Sequence, residues 1–264
     1  MTQTNAPHQG SLLPREHGAY AQISFPLLTA LSLGKPGPAS ILLVMAAVTV
    51  FLLHEPVLIL IGGRGGRAKR ELAGRARRRT ALLIALALLA GLGGLALAPA
   101  ARLAALIPLG TAALLLPLIF SRREKTTAGE LLVALSLSST MIPVARAGGV
   151  NLRPALLAAA VWAIVFALGT VTVRMIIARA KKGVEPSRWV RSAPWLSAAV
   201  IAGAMFLAFE GSVPAPAALA AVPTAAVALV FALLGVHPRN LRRMGWSLVA
   251  SNVAVMTALI IAFR

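Results

Sequence analysis

The chain has 264 residues, of which 58% are hydrophobic and only 12% charged, and its mean hydropathy is +0.84. A soluble domain needs about a quarter of its residues charged to cover its surface, so these proportions exclude one and describe an integral membrane protein. The formal charge of +19 does not point to nucleic acid, because the basic runs lack the interleaved aromatic residues on which bases stack, and no nucleic-acid partner is expected.

Residues 1–14 have no basic stretch followed by a continuous apolar core, so they read as a short disordered tail and not as a cleavable leader. Residues 15–264 read as one transmembrane helical domain. A helix that crosses the hydrocarbon takes about 20 apolar residues. Apolar runs between charged or Pro/Gly-rich breaks predict nine spans, near 17–34, 39–61, 80–98, 103–120, 128–146, 154–178, 193–211, 215–235 and 246–263. The expected fold is all-α, a polytopic transmembrane bundle.

Orientation follows from the cations. The connections after spans two, four, six and eight hold 8, 3, 5 and 3 Lys or Arg, whereas the opposite connections hold only Lys35, Arg102, Arg146 and Arg153. The positive-inside rule then places the N-terminus and the cation-rich connections in the cytoplasm and the C-terminus outside. The longest basic stretch, residues 62–79, reads as a solvated loop lying near anionic lipid.

There is no cysteine, so disulfides and thiolate chemistry are excluded. The chain has seven Glu and no Asp, so any carboxylate chemistry must use one of those seven. Sorted by topology, the polar residues of the spans gather in one leaflet. Arg15, Glu16 and His17 start span one; His54 and Glu55 lie near the cytoplasmic end of span two; Glu130 opens span five; Arg174 and Arg179 end span six. Charged groups in a bilayer are costly and face the bundle interior or a wet cavity, so a shared depth marks a candidate site. Each also has a structural reading. Arg15 and Glu16 can pair at the surface, Glu130 can favour the N-terminus of its helix, and Arg174 wants either a carboxylate or an anionic ligand. Pro56 removes the amide that would bond the Leu52 carbonyl, which predicts a kink beside His54 and Glu55.

REHGAY at span one, HEP near the end of span two, a basic stretch after it and nine spans resemble the bacterial YwiC-like family of membrane proteins, which implies the bacterial cytoplasmic (inner) membrane as the location. More distantly, the layout is similar to the UbiA-type intramembrane prenyltransferases, with AGELLVALSLSSTMIPVARAGG and LGTVTVRMIIARAKKG standing where those enzymes run from span five to the end of span six. That resemblance implies a UbiA-like bundle whose functional connections follow spans two and six and which handles an isoprenoid lipid with an anionic head. It also implies a magnesium cofactor held by Asp-rich motifs, and here the chain departs from the pattern, since the corresponding stretches read HEP and RMIIARAKK.

Two readings follow. In the first, a divergent prenyltransferase-type enzyme uses Glu16, His17, His54, Glu55 and Glu130 to move protons or position a metal, with Glu16 and Glu55 the candidate ligands. Arg15, Arg174, Arg179, Lys181 and Lys182 would hold the anionic head. In the second, a protein of the same fold is a non-catalytic lipid- or quinone-binding or assembly protein, and the polar residues form a structural network. The expected partner in either case is a membrane lipid or isoprenoid.

Overall fold

A computed structural model describes residues 12–14, 17–121, 123–180, 191–234 and 240–264, the side chains of His17, Ala180 and Leu241 excepted. Among the described residues the chain is helical, without strands: α1 (His17–Leu33), α2 (Pro38–Leu60), α3 (Gly66–Leu97), α4 (Arg102–Phe120), α5 (Thr127–Ser139), α6 (Met141–Ala147), α7 (Leu152–Ala180), α8 (Ala193–Glu210), α9 (Ala215–Leu219), α10 (Val222–Leu233) and α11 (Leu241–Phe263). Helices are what such a sequence must form in lipid, because only they satisfy their backbone groups within one segment.

Among the described residues, eight stretches are at least 18 residues long and apolar enough to cross a membrane. The remaining expected span is α1, with 17 residues. The nine predicted segments therefore all appear, with two of them divided. The span predicted at 128–146 breaks into α5 and α6 at Thr140, whose hydroxyl donates to the Leu137 carbonyl at 2.6 Å. The span predicted at 215–235 breaks into α9 and α10.

Two expectations are corrected. Residues 66–79 are not a loop but the first half of α3, one continuous helix of 32 residues and about 48 Å. Residues 12–14 do not hang free, since Leu12 is buried in a cluster with Ile59 and Ala76, and the Tyr20 hydroxyl donates to the Pro14 carbonyl at 3.1 Å. Helix α2 runs on through Pro56 to Leu60.

The centre of the bundle is α1 against α5, α6, α7 and α11. Trp162 of α7 is fully buried and donates its indole N–H to Thr29 Oγ1 of α1 at 3.1 Å; that hydroxyl in turn donates to the Phe25 carbonyl. The Trp162 ring stacks between Phe25 and Phe166, with centroids 5.6 and 5.3 Å away, so this polar contact is enclosed by aromatic surface. At the end of the bundle remote from Glu55, Gly34 meets Gly148, and a Cβ on Gly34 would stand 2.8 Å from the Gly148 oxygen. Glycine permits the connection there to close through the Lys35 N–H to the Gly148 carbonyl at 2.9 Å.

Helices α3 and α4 stand at the edge. Only 11% of each apolar window is buried, against 56% for residues 127–147, and Leu89 and Leu103 are almost wholly exposed. In a bilayer that apolar face is solvated by lipid.

Candidate functional site at the charged end of the bundle

The level of His54 and Glu55 is set by the pairing of α2 with α3. These helices run antiparallel, with Gly91 against Ala46, Gly93 against Leu42 and Gly94 against Leu43. Further along, Ile59 packs with Ala76. Stepping this register along both helices brings His54 and Glu55 opposite the neighbourhood of Thr80, the first residue after the basic run. Both groups thus sit where the charged part of the hairpin gives way to its apolar part. The residues from Gly66 to Arg79 project about 20 Å beyond that level.

Glu55 is 1% exposed and is gripped by Arg64, which donates from Nε to Oε1 at 2.8 Å and from Nη2 to Oε2 at 2.5 Å. This two-point geometry is the strongest that a carboxylate and a guanidinium can form. It ties the last turns of α2 to the turn that follows, so both carboxylate oxygens are already engaged within the hairpin.

The connection from α4 to α5 brings the other groups together. Thr126 caps α5 by accepting from the Gly129 N–H at 3.2 Å and donates to the Arg123 carbonyl at 2.7 Å. Gly129 lies under the same turn; a Cβ there would be 2.7 Å from the Glu124 carbonyl carbon, so this position has room only for hydrogen. Two successive residues of the turn then reach opposite ways. The Glu124 side chain approaches His54, with Oε2 3.6 Å from Nε2, and the Lys125 carbonyl accepts from Arg174 Nη2.

Arg174 also donates from Nε to Glu130 Oε2 at 2.5 Å and from Nη1 to Thr127 Oγ1 at 3.3 Å. Of the two ways to satisfy it, the structure supplies the carboxylate, from Glu130. Arg179 donates from Nη1 to the Ala232 carbonyl at 2.7 Å, in the last turn of α10, where carbonyls lack helical partners and a cation is favoured.

Of the candidate residues, the structure joins Glu130 with Arg174, and the turn whose Lys125 carbonyl meets that arginine carries Glu124, which approaches His54. It gives Glu55 to Arg64 and Arg179 to α10. Arg15, Glu16, Lys181 and Lys182 lie outside the described residues, as does the side chain of His17. Sequence reasoning missed Arg64, Glu124 and Thr127. The start of α5 was legible from threonines that follow a charged turn, although the cap is Thr126; nothing in the sequence set Glu124 or Arg64 apart.

Among the described residues, no group of three or more His or Glu side chains can hold a metal ion. Magnesium asks for oxygen donors free to meet it, and the Glu55 oxygens are both taken by Arg64. Of the two candidate ligands, Glu55 therefore does not fit a magnesium ion, and Glu16 lies outside the described residues.

A family model described as YwiC-like protein matches residues 13–146, just over half of the chain. The chain belongs to that family. No curated protein and no solved structure matches it.

Proposed function

We propose that this YwiC-like protein is a non-catalytic multi-pass membrane protein that holds a lipid-like or quinone-like amphiphile at the charged end of its bundle. In this reading that end faces the cytoplasm, as the cation distribution argues, and the layout is that of the UbiA-type bundle without its chemistry. One observation carries the choice. The charged groups that a prenyl transferase would need free are engaged with one another, Glu55 with Arg64 and Glu130 with Arg174. Arg174 already donates from each of its three nitrogens, to a carboxylate, a hydroxyl and a carbonyl, so a phosphate would meet only its two remaining Nη hydrogens, beside the Glu130 charge.

The enzymatic alternative, a divergent transferase acting on a prenyl substrate with an anionic head, requires those pairs to open. Calorimetric titration of the purified protein with farnesyl diphosphate, with and without magnesium, tests the choice. The expected result is no saturable binding that depends on magnesium. Magnesium-dependent binding at about one ligand per chain would overturn the non-catalytic reading.

A further inference from the structure

The outer face of α3 joins exposed cations to exposed leucines along one continuous helix. Its inward side is marked by the buried residues Ala76, Ala90 and Gly94; Ala76 packs with Ile59 of α2, and Gly94 stands against Leu43 of the same helix. At 3.6 residues per turn, Arg78, Leu82, Leu89 and Leu92 fall on the opposite side. The three leucines are largely exposed. Arg78 is exposed above them, and Arg75, also exposed, lies one turn further along.

The length of the helix sets the depth of each of these groups. From Thr80, the first residue after the basic run, to Leu97 the apolar part rises about 27 Å, which matches a hydrocarbon core of about 30 Å. The headgroup zone adds about 5 to 8 Å on each side, so Arg75 and Arg78 stand within it and Leu82 and Leu89 stand in the hydrocarbon. Lys69 and Arg70 are already about 15 Å above Thr80, clear of the headgroups. The cations at headgroup level have no counter-charge. Among the described residues, neither Arg75 nor Arg78 meets a carboxylate, and nor do Arg77 and Arg79 that flank them. Glu71, the only acid of α3, pairs with Arg67 at 2.8 Å and so turns away from Arg75.

We infer that this outer face of α3 is a binding site for an anionic phospholipid. Arg75 and Arg78, three residues apart, are neighbours on the helix surface and converge on one headgroup phosphate, the group that a guanidinium meets with two parallel hydrogen bonds. An acyl chain of the same lipid runs along Leu82 and Leu89, directly below in the hydrocarbon. With Arg77 and Arg79 unneutralised at the same level, the ammonium of a zwitterionic headgroup is repelled, whereas a headgroup that ends in hydroxyls is not. The shared face favours a lipid over an acidic protein. A protein docking from solution would meet Lys69 and Arg70, beyond the headgroups, and could not use the leucines. The site lies on the outside of the bundle and stands apart from the amphiphile held at its charged end.

Its test is a titration of the full chain in detergent, read by native mass spectrometry, with phosphatidylglycerol, phosphatidylcholine of the same acyl chains and glycerol 3-phosphate. Lipid held elsewhere on the protein contributes equally to wild type and variants, so the site is read from their difference. Wild type prefers phosphatidylglycerol to phosphatidylcholine by about fivefold or more. The double variant Arg75→Gln and Arg78→Gln binds phosphatidylglycerol about ten- to thirtyfold more weakly, as loss of two cations at a membrane surface does, and the preference disappears. A second double variant, Lys69→Gln and Arg70→Gln, removes the same charge above the headgroups and binds like wild type. All four side chains are exposed, and melting curves show that both variants are folded. Equal binding of the two lipids by wild type would overturn the inference and leave ordinary solvating lipid on this face. Equal losses in the two double variants would overturn it in favour of net charge alone, and glycerol 3-phosphate binding as tightly as the lipid would do so in favour of a free-phosphate site. A polyglutamate peptide that binds more tightly than the lipid, and loses its grip in the Lys69→Gln and Arg70→Gln variant, would assign the basic helix to an acidic protein and overturn it likewise.

Discussion

Replacing Arg174 with Met tests whether this cation is a structural pin or a ligand contact. In the structure it joins α7 to the start of α5 through Glu130, Thr127 and the Lys125 carbonyl. The side chains of the ion pair are 27% and 37% exposed, so the pair is neither a surface bridge, worth at most about 1 kcal/mol, nor a fully buried one, whose rupture costs about 3 to 5 kcal/mol. Allowing for solvent screening of the stranded carboxylate, Arg174→Met should cost about 2 kcal/mol. For a chain of this size that lowers the melting temperature by about 4 to 8 °C. Glu130→Gln alone should cost about half as much, because Arg174 keeps its other two acceptors. The double variant should be more stable than Arg174→Met, with about 1 kcal/mol of coupling, because the unpaired charge has been removed. Intrinsic tryptophan melting in detergent reads all four proteins. An Arg174→Met variant that melts with wild type, or two single effects that simply add, would refute the pin.

Arg64→Met should be more damaging than Arg174→Met, at about 3 to 5 kcal/mol, because Glu55 is 1% exposed and would be stranded away from water; a second change, Glu55→Gln, should restore much of the loss in the same melts. Gly129→Ala should cost about 1 to 3 kcal/mol by forcing a methyl against the Glu124 carbonyl, and hydrogen exchange should speed up at residues 123–130 while the Trp162 region stays protected. Reporter fusions should place the N-terminus in the cytoplasm and Arg264 on the far side, as nine spans require; both ends on one side would contradict that count.

The spans were legible because hydropathy is a one-dimensional signal, and lipid leaves a long apolar run no alternative to a helix. Thus α2 was expected at 39–61 and runs from Pro38 to Leu60. The break at Thr140 does not show in the hydropathy of SSTMIP; its signal is Pro143, which has no N–H for the Ser139 carbonyl at the end of α5, and Thr140 turns its hydroxyl to the Leu137 carbonyl there. The basic stretch was misread as a loop because its glycines and charges look like one, although Ala76 on its inner face packs against Ile59 and Leu12. At the candidate site the sequence showed which groups share a level but not which pair with which. Glu55 finds Arg64 only because the chain turns back on itself between them, and Arg174 finds Glu130 only because α5 and α7 pack together. Glu124 was passed over as one charge among many in SRREK, and its significance comes from burial, a property of the assembled bundle.

In the proposed function, the charged end of this bundle retains an amphiphile without reacting with it. Native mass spectrometry of the protein released from its membrane, followed by fragmentation of whatever stays bound, measures this most directly. The expected result is a single amphiphile enriched over the surrounding lipid, carried at about one per chain and recovered unchanged after incubation with farnesyl diphosphate and magnesium. Protein that emerges without lipid, or a bound molecule that gains a prenyl group in that incubation, would contradict it.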